Sequence, residues 1–320
     1  MALPSVGWLP LHPCSLTYGQ QVSVGGAATS SPRVMRELLT PNASQSARGW
    51  AEILDRSGDS SQVIPVWRSV TRTSCATTSP CHFLGSNWVL AGRFGIVLPA
   101  LAFFAACTRT LRLGTGVCLV PQRNPVYTAK AVASADWLSG GRIDFGVGVG
   151  WLAEEFRACA TPFARRGDRC RAYLEVMRRL WCDDVSAYRD EFYDLPACRQ
   201  YPKPVQRPHP PIHFGGESDA ALRRVVDLGQ GWYPFSLEPE ALAARLRDLD
   251  RLLARCGRAR RDLEVSICPY MRPADLDLMK RYRDLGVDQV ILLLFAFDLD
   301  GLRAALERLA EEIVVPVGAL

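Results

Sequence analysis

The sequence predicts an α/β fold in which a parallel sheet is covered by helices, and six strands of an eight-stranded barrel are recognisable after residue 110. From about residue 97 strands and helices alternate strictly, and the strands are apolar along their whole length. Continuous apolar strands are buried on both faces, which is typical of a parallel sheet between layers of helices. The 320-residue chain has 48% hydrophobic and 22% charged residues, which excludes a disordered chain, a collagen and a coiled-coil rod.

The elements of this regular part follow from apolar runs, caps and stops. Asn124 and Pro125 form a cap and a first-turn proline, and Ser218 and Gly229 form a cap and a stop. The predicted strands are 111–120, 142–150, 210–217, 231–235, 263–270 and 288–295. The predicted helices are 98–110, 126–141, 167–181, 218–229, 239–257, 275–286 and 301–313.

Two segments do not follow this pattern. Residues 1–96 contain four of the 33 acidic residues and four of the eight tryptophans, and they show little periodicity. Short helices at 35–40 and 47–58 and a strand at 62–67 are the elements that we expect there. The other segment, from about 182 to 210, is too long for a plain connection, and loops of that length are often lids or flaps.

Charge, cysteines and hydropathy exclude several classes of protein. The net charge of +5 is modest, and the basic run at 255–261 fits a solvated helix end better than a nucleic-acid patch. The 11 cysteines are scattered without a CxxC pair, which favours free thiols over disulfides. No apolar run approaches the roughly 20 residues that span a bilayer, and the N-terminus lacks the basic start of a secretory signal. We therefore expect a cytoplasmic protein without nucleic-acid or membrane partners.

Three strands end in glycine-rich turns, at Gly114-Thr115-Gly116, at 146–150 and at Gly215-Gly216. In parallel α/β folds ligands bind at the carboxyl ends of the strands, and glycine lets a flat ring or a phosphate approach the backbone. Glu217 and Ser218 then open a helix, whose N-terminus suits a phosphate. Together the three turns favour a site for a phosphorylated flat cofactor over glycines that serve only to form turns. The run at 146–150 fits a Rossmann fingerprint poorly, because a helix follows where the second strand of that motif belongs.

Other polar residues are weaker candidates. His209 and His213 are four residues apart but not on a helix, so they do not share a face for a metal, and no metal site is predicted. Arg165, Arg166 and Arg169 fit either the anionic tail of a cofactor or a solvated helix start. Solvated helix positions are favoured for Glu154 and Glu155. We do not assign a catalytic residue.

Two blocks of sequence carry a family resemblance. LRLGTGVCLVPQRNPVYTAKAVASADWLSGGRIDFGVGVGWLAEEF and PKPVQRPHPPIHFGGESDAALRRVVDLGQGW resemble the signatures of the luciferase-like monooxygenase superfamily, and most closely its F420-dependent oxidoreductase class. The resemblance covers about residues 97–320. It implies a TIM (β/α)8 barrel of the bacterial-luciferase type and a flavin or deazaflavin cofactor.

The resemblance also implies roles for particular residues. It places a cis peptide bond between Gly116 and Val117, in a bulge that supports the cofactor ring. Further residues match a second cofactor loop or the segment near the phosphate: Gly148, Gly150, Trp151, Gly215, Gly216, Glu217 and Ser218.

The first third of the chain does not match the family. The two opening strands are not recognisable, and Arg68-Ser69 stands where an Asp-His or Glu-His pair is expected. His82 is better explained as an incidental loop histidine. We therefore divide the chain into an atypical segment, 1–96, which is either frame-shifted or divergent, and a luciferase-like barrel domain, 97–320.

Three functions remain open at this point. The first is an oxidoreductase that transfers hydride between coenzyme F420 and a small organic substrate. The second is an FMN-dependent monooxygenase. The third is a barrel that binds a cofactor without turnover, because its first third is defective. A small-molecule substrate is the expected partner, and a homodimer is left open.

Overall fold

A computed structural model describes residues 18–25, 63–65, 97–270, 272–296 and 299–318. Its strands are β1 (Tyr18–Gly25), β2 (Val63–Pro65), β3 (Arg112–Gly114), β4 (Cys118–Leu119), β5 (Ile143–Gly148), β6 (Ser186–Arg189), β7 (Asp194–Cys198), β8 (Ile212–Gly215), β9 (Gly231–Tyr233), β10 (Glu264–Ile267) and β11 (Gln289–Ala296). Its helices are α1 (Val97–Cys107), α2 (Pro125–Ser139), α3 (Ala153–Ala158), α4 (Arg166–Cys182), α5 (Asp219–Leu228), α6 (Pro239–Arg255), α7 (Leu276–Asp284), α8 (Leu299–Leu309) and α9 (Val315–Gly318). Short 3-10 turns at Val120–Gln122 and Arg260–Asp262 and a π-helical segment at Ala310–Val314 complete the list.

One curled sheet organises the chain, and the predicted α/β fold is confirmed. Its strands lie in the order β1-β11-β10-β9-β8-β5-β3-β2, and β4 also pairs with β5. The pairs from β2 to β11 are parallel, whereas β1 is antiparallel to β11. All six predicted strands occur, and β2 lies within the segment 62–67. The expected helices at 35–40 and 47–58 and the residues His82 and Arg68-Ser69 lie outside the described residues.

The caps that the sequence predicts are present. The Asn124 side chain accepts hydrogen bonds from the backbone N–H groups of Val126 and Tyr127 and so begins α2. Ser218 accepts one from the Ala221 N–H and begins α5. The core between sheet and helices is apolar, and its largest buried side chains include Trp181, Trp232 and Phe145.

One predicted strand is interrupted. The segment 111–120 forms β3 and β4, which are separated by a turn at residues 115–117. The Thr115 hydroxyl donates to the Gly146 carbonyl at 2.7 Å, which turns the chain toward the neighbouring strand. The glycine-rich turn at 114–116 was predicted, and the structure places it inside the run, where it separates β3 from β4.

The segment predicted as a lid is a hairpin fixed to the side of the barrel. Strands β6 and β7 pair antiparallel within it. The chain beyond them is held by Asp136 of α2, whose carboxylate accepts from the N–H groups of Val205 and Gln206 at 2.7 and 3.0 Å. Lys203 donates to the Leu180 carbonyl at the end of α4 at 2.9 Å. These contacts hold this part of the segment against the helices of the barrel.

Candidate cofactor site

The three glycine-rich turns meet at one edge of the sheet. They follow β3, β5 and β8, and these strands are hydrogen-bonded neighbours that run in the same direction. Their carboxyl ends therefore lie side by side, as the sequence predicts.

The Val117 side chain lies between two of these turns. A Cβ atom on Gly148 would lie 2.4 Å from Val117 Cγ2, and one on Gly215 would lie 3.2 Å from Val117 Cγ1. The two glycines thus make room for a valine of this chain, whereas the sequence suggested room for a ligand. The Gly116–Val117 peptide bond is cis, as the family resemblance implies.

The backbone of the first turn presses against β5. A Cβ atom on Gly146 would lie 1.6 Å from the Thr115 carbonyl oxygen, so no other residue fits at that position without movement of the backbone. Thr115 is buried, and its hydroxyl is already bound to Gly146. Thr115 therefore stabilises the conformation of the turn.

The second turn is held by packing. Gly150 has a φ of +78°, and a Cβ atom there would lie 2.7 Å from the Phe156 ring. Arg166 donates from Nε to the Gly150 carbonyl at 2.8 Å. Trp151 extends outward with 57% of its surface exposed. Trp151 is thus the exposed aromatic side chain of this turn.

The third turn is fixed by a helix cap and by hydrogen bonds to the chain in and after β9. Ser218 caps α5, and the Glu217 carboxylate accepts from the Phe235 N–H at 2.6 Å. The Trp232 indole donates to the Gly216 carbonyl at 2.9 Å. Glu217 therefore joins this turn to the chain after β9.

Glu155 is not a solvated helix acid, so that expectation was wrong. Its side chain is buried, and its Oε2 accepts from the Gln122 amide at 3.1 Å. Its partner Gln122 ends the 3-10 turn after β4. Glu155 and Gln122 thus connect α3 to the end of that turn.

The three arginines near the start of α4 have protein partners. Arg165 forms a two-bond ion pair with Glu191, at 2.6 and 2.7 Å, and this lowers the pKa of the Glu191 carboxyl. Arg169 donates to the Pro162 carbonyl at 2.6 Å. With Arg166 bound to Gly150, all three arginines have structural contacts at this rim.

A polar cavity that borders the first two turns was not predicted. We call it the interior chamber; its polar lining consists of Thr115, Asp144, His213, Tyr233, Glu264, Ser266 and Gln289. Burial raises the pKa of the Glu264 carboxyl. Single polar residues within apolar strands, such as Ser266, were the only signal for it in the sequence.

The other histidine has a packing role. His209 is buried, its ring lies 5.5 Å from the Trp181 ring, and burial lowers its pKa. Among the described residues no group of histidine, cysteine and acidic side chains is arranged to hold a metal ion. Nor does any helix in the described ranges have the length and apolarity to cross a bilayer.

The chain is similar in sequence to proteins of known families. The profile of the luciferase-like monooxygenase family matches residues 86–311. An uncharacterized protein of Mycobacterium tuberculosis is 31% identical over 217 residues, which cover 67% of this chain and 74% of that protein. The FMNH2-dependent dimethylsulfone monooxygenase of Pseudomonas putida is 31% identical over 139 residues, 42% of this chain and 38% of that enzyme.

Solved structures share the fold. An F420-dependent secondary alcohol dehydrogenase superposes with a TM-score of 0.61 at 15% identity, covering 73% of this chain and 86% of that one. The monooxygenase RslO1 of Streptomyces bottropensis gives a TM-score of 0.52 at 24% identity, covering 60% and 59%. The fold and the three turns therefore define an α/β barrel protein of the luciferase type. The chain belongs to the luciferase-like monooxygenase family, a family of oxidoreductases.

Proposed function

We propose that this chain is an oxidoreductase that binds coenzyme F420 at the three turns and transfers hydride between it and a small organic substrate. The observation that carries this proposal is the convergence of the three turns around Val117, at the carboxyl ends of β3, β5 and β8. This edge of the sheet is where α/β barrels place their ligands.

The residues present fit such a cofactor. Gly215 and Gly216 lead directly to the N-terminus of α5, where Ser218 is the cap, and a helix N-terminus favours a phosphate group. Trp151 offers an exposed aromatic face at the neighbouring turn. The cofactor would supply the hydride chemistry, and these residues would bind and orient it.

A second candidate is an FMN-dependent monooxygenase. It is favoured by the 31% identity to the FMNH2-dependent dimethylsulfone monooxygenase. The same turns would then hold FMN, and the two candidates differ in the flavin that binds.

The first experiment is a titration of the purified protein with F420 and with FMN, followed by fluorescence, together with the absorbance spectrum and mass of any ligand that copurifies. We expect one-to-one binding with a clear preference for F420. A preference for FMN would select the second candidate, and no binding of either would contradict both.

The second experiment tests the phosphate end with Ser218→Ala, against Asp275→Ala as the matched control. Asp275 caps α7 by accepting from the Leu278 N–H at 2.8 Å, and it does not belong to the three turns. Each variant should lose about 1 kcal/mol of unfolding free energy, because a cap is removed. Only Ser218→Ala should weaken cofactor binding, and it should affect dephosphorylated cofactor less. Equal losses for both forms of the cofactor would contradict the placement of the phosphate.

A further inference from the structure

Two aromatic side chains lie together at the ends of the adjacent strands β9 and β10. Phe235 follows β9 and Tyr270 follows β10, and their ring centroids are 4.8 Å apart with an angle of 53° between the ring planes. Both side chains are half-buried, so part of each ring remains accessible. Because β8, β9 and β10 are parallel neighbours, this pair lies at the same edge of the sheet as the three turns.

The backbone that carries this pair is strained. Ser236 and Tyr270 have φ angles of +57° and +61°, in the left-handed region that residues other than glycine rarely adopt. Such a conformation persists only where the surrounding structure holds it, and it is concentrated at binding and active sites. A ring that only filled the core would not require it. The strain therefore points to a function that depends on the position of the two rings.

Polar contacts join the two loops that follow β9 and β10. The Ser236 N–H donates to the Cys268 carbonyl at 2.8 Å. A few residues further along both loops, Arg272 forms an ion pair with Glu238 at 2.6 Å. The two loops therefore hold each other, and the rings that they carry are preorganised.

The aromatic pair is also connected to the cofactor turns. The Phe235 N–H donates to the Glu217 carboxylate of the third turn at 2.6 Å. Val117 of the first turn and both rings pack against one small apolar cluster. Its buried members are Tyr233, Cys268 and Ile291. These side chains carry no charge, so the surface that they offer beside Val117 is apolar.

We propose that Phe235 and Tyr270 form one wall of the substrate pocket and select an uncharged substrate with an apolar ring. This inference deepens the proposed function and rests on it for the position of the cofactor beside Val117. The ring of the substrate packs against the two rings in the offset or edge-to-face arrangement that aromatic groups prefer. A carboxylate in the same place would lose its hydration without gaining a partner from this wall.

The test is a calorimetric titration of the F420-loaded and the cofactor-free protein with benzamide, acetamide and benzoate. Acetamide lacks the ring, and benzoate carries a charge in place of the amide. Benzamide should bind at least about tenfold more tightly than either of the others, because it alone buries an uncharged apolar ring. No binding of benzamide, or equal binding of all three, would overturn the proposal. Failure of F420 to bind would contradict the proposed function instead, and the comparison on the cofactor-free protein would still decide whether the wall binds a ring.

Variants localise the binding. Tyr270→Ala removes one ring and should weaken benzamide binding by about tenfold without changing the binding of acetamide, whereas Tyr270→Phe keeps the ring and should retain the affinity. Tyr193→Ala is the matched control, because Tyr193 of the β6–β7 hairpin forms another half-buried ring pair, with Tyr173 of α4 at 5.6 Å. It should bind benzamide as the unmodified protein does. Unchanged benzamide affinity in a folded Tyr270→Ala would overturn the proposal, and if that variant does not fold, the comparison of the three probes on the unmodified protein decides.

Discussion

Val117 fills the space between two strand ends, so that a Cβ atom at Gly148 would lie 2.4 Å from its Cγ2 atom. The requirement for glycine there is imposed by a neighbouring side chain. The requirement at Gly146 is imposed by the backbone, since the Thr115 carbonyl would lie 1.6 Å from a Cβ atom. A side chain can be shortened by mutation and a carbonyl cannot, so the two glycines should respond differently to substitution.

Gly148→Ala should reduce the unfolding free energy by roughly 1–3 kcal/mol, as overpacking does. The double variant Val117→Ala/Gly148→Ala should recover part of that loss, because the clashing methyl group is gone. Gly146→Ala should cost more than Gly148→Ala, and Val117→Ala should not rescue it. Denaturant unfolding of these three variants and of Val117→Ala/Gly146→Ala measures the four unfolding free energies.

The control is Gly167→Ala, in the first turn of α4, where the nearest atom to the new methyl group is the movable end of Arg224 at 3.1 Å. Its stability should change little or rise, because alanine favours the helix. The explanation fails if the double variant is no more stable than Gly148→Ala alone.

Glu264 should make stability depend on pH. Burial raises its pKa above the ordinary value of 4.5, and it is faced by His213, Asp144, Arg112 and Asp288. The folded state therefore binds the proton more tightly than the unfolded state. The contribution of Glu264 to stability is fully present below the ordinary value and is lost as the pH rises through the folded pKa.

Thermal or denaturant unfolding between pH 4 and pH 8 should show this loss in the unmodified protein and in the control Glu311→Gln, in which the substituted side chain is exposed. Glu264→Gln should lack it, since the amide does not titrate. Superimposable pH curves for Glu264→Gln and the unmodified protein would show that Glu264 has no such effect.

Among the elements, Asp136 connects α2 to the chain after the β6–β7 hairpin. It is fully buried, and it accepts from two backbone N–H groups and, at 2.7 Å, from the Gln206 amide. An ionised carboxylate is suited to this place because it offers acceptors only. Asp136 thus holds residues 205–206, beyond the hairpin, against a helix that is distant in sequence.

Asp136→Asn would turn an N–H group toward these donors and should cost roughly 2–3 kcal/mol of unfolding free energy. Limited proteolysis should then cut within residues 199–211 sooner. Asp184→Asn is the control: its side chain is 71% exposed and pairs with Arg199, so it should change stability by less than about 1 kcal/mol. A loss no larger than that in Asp136→Asn would show that the segment is held by other contacts.

Local patterns in the sequence predicted most elements of the regular part, including the caps Asn124 and Ser218. They missed contacts made across the sheet. The turn at 115–117 depends on a bond from Thr115 to Gly146, and the burial of Glu155 depends on Gln122. The interior chamber combines polar residues from five strands, and no local pattern links Asp144 to Gln289. The place of the three turns was predictable because it follows from strand direction alone.

At the scale of the whole molecule, the sheet includes two strands, β1 and β2, that precede the start of the family match. The family profile starts at residue 86, while β1 adds to the sheet as an antiparallel neighbour of β11. A closed barrel of this class has parallel strands throughout. The register of β1, with Tyr18 opposite Ala296 and Gly25 opposite Gln289, covers the edge that a parallel strand would occupy in such a barrel.

We therefore predict that residues 1–96, as written, are not the native opening of this family, and that a shifted reading frame or divergence accounts for them. The composition changes at about residue 96, and the expected pair of an acidic residue and a histidine is absent. Translation of the encoding DNA in the other two frames should reveal two apolar strands and that pair. Peptide mass spectrometry of the natural protein should find no fragment from residues 71–88. Detection of such a fragment in a protein that also binds its cofactor and converts substrate would establish the segment as genuine. A barrel without two genuine opening strands would have an exposed strand edge and would be unstable.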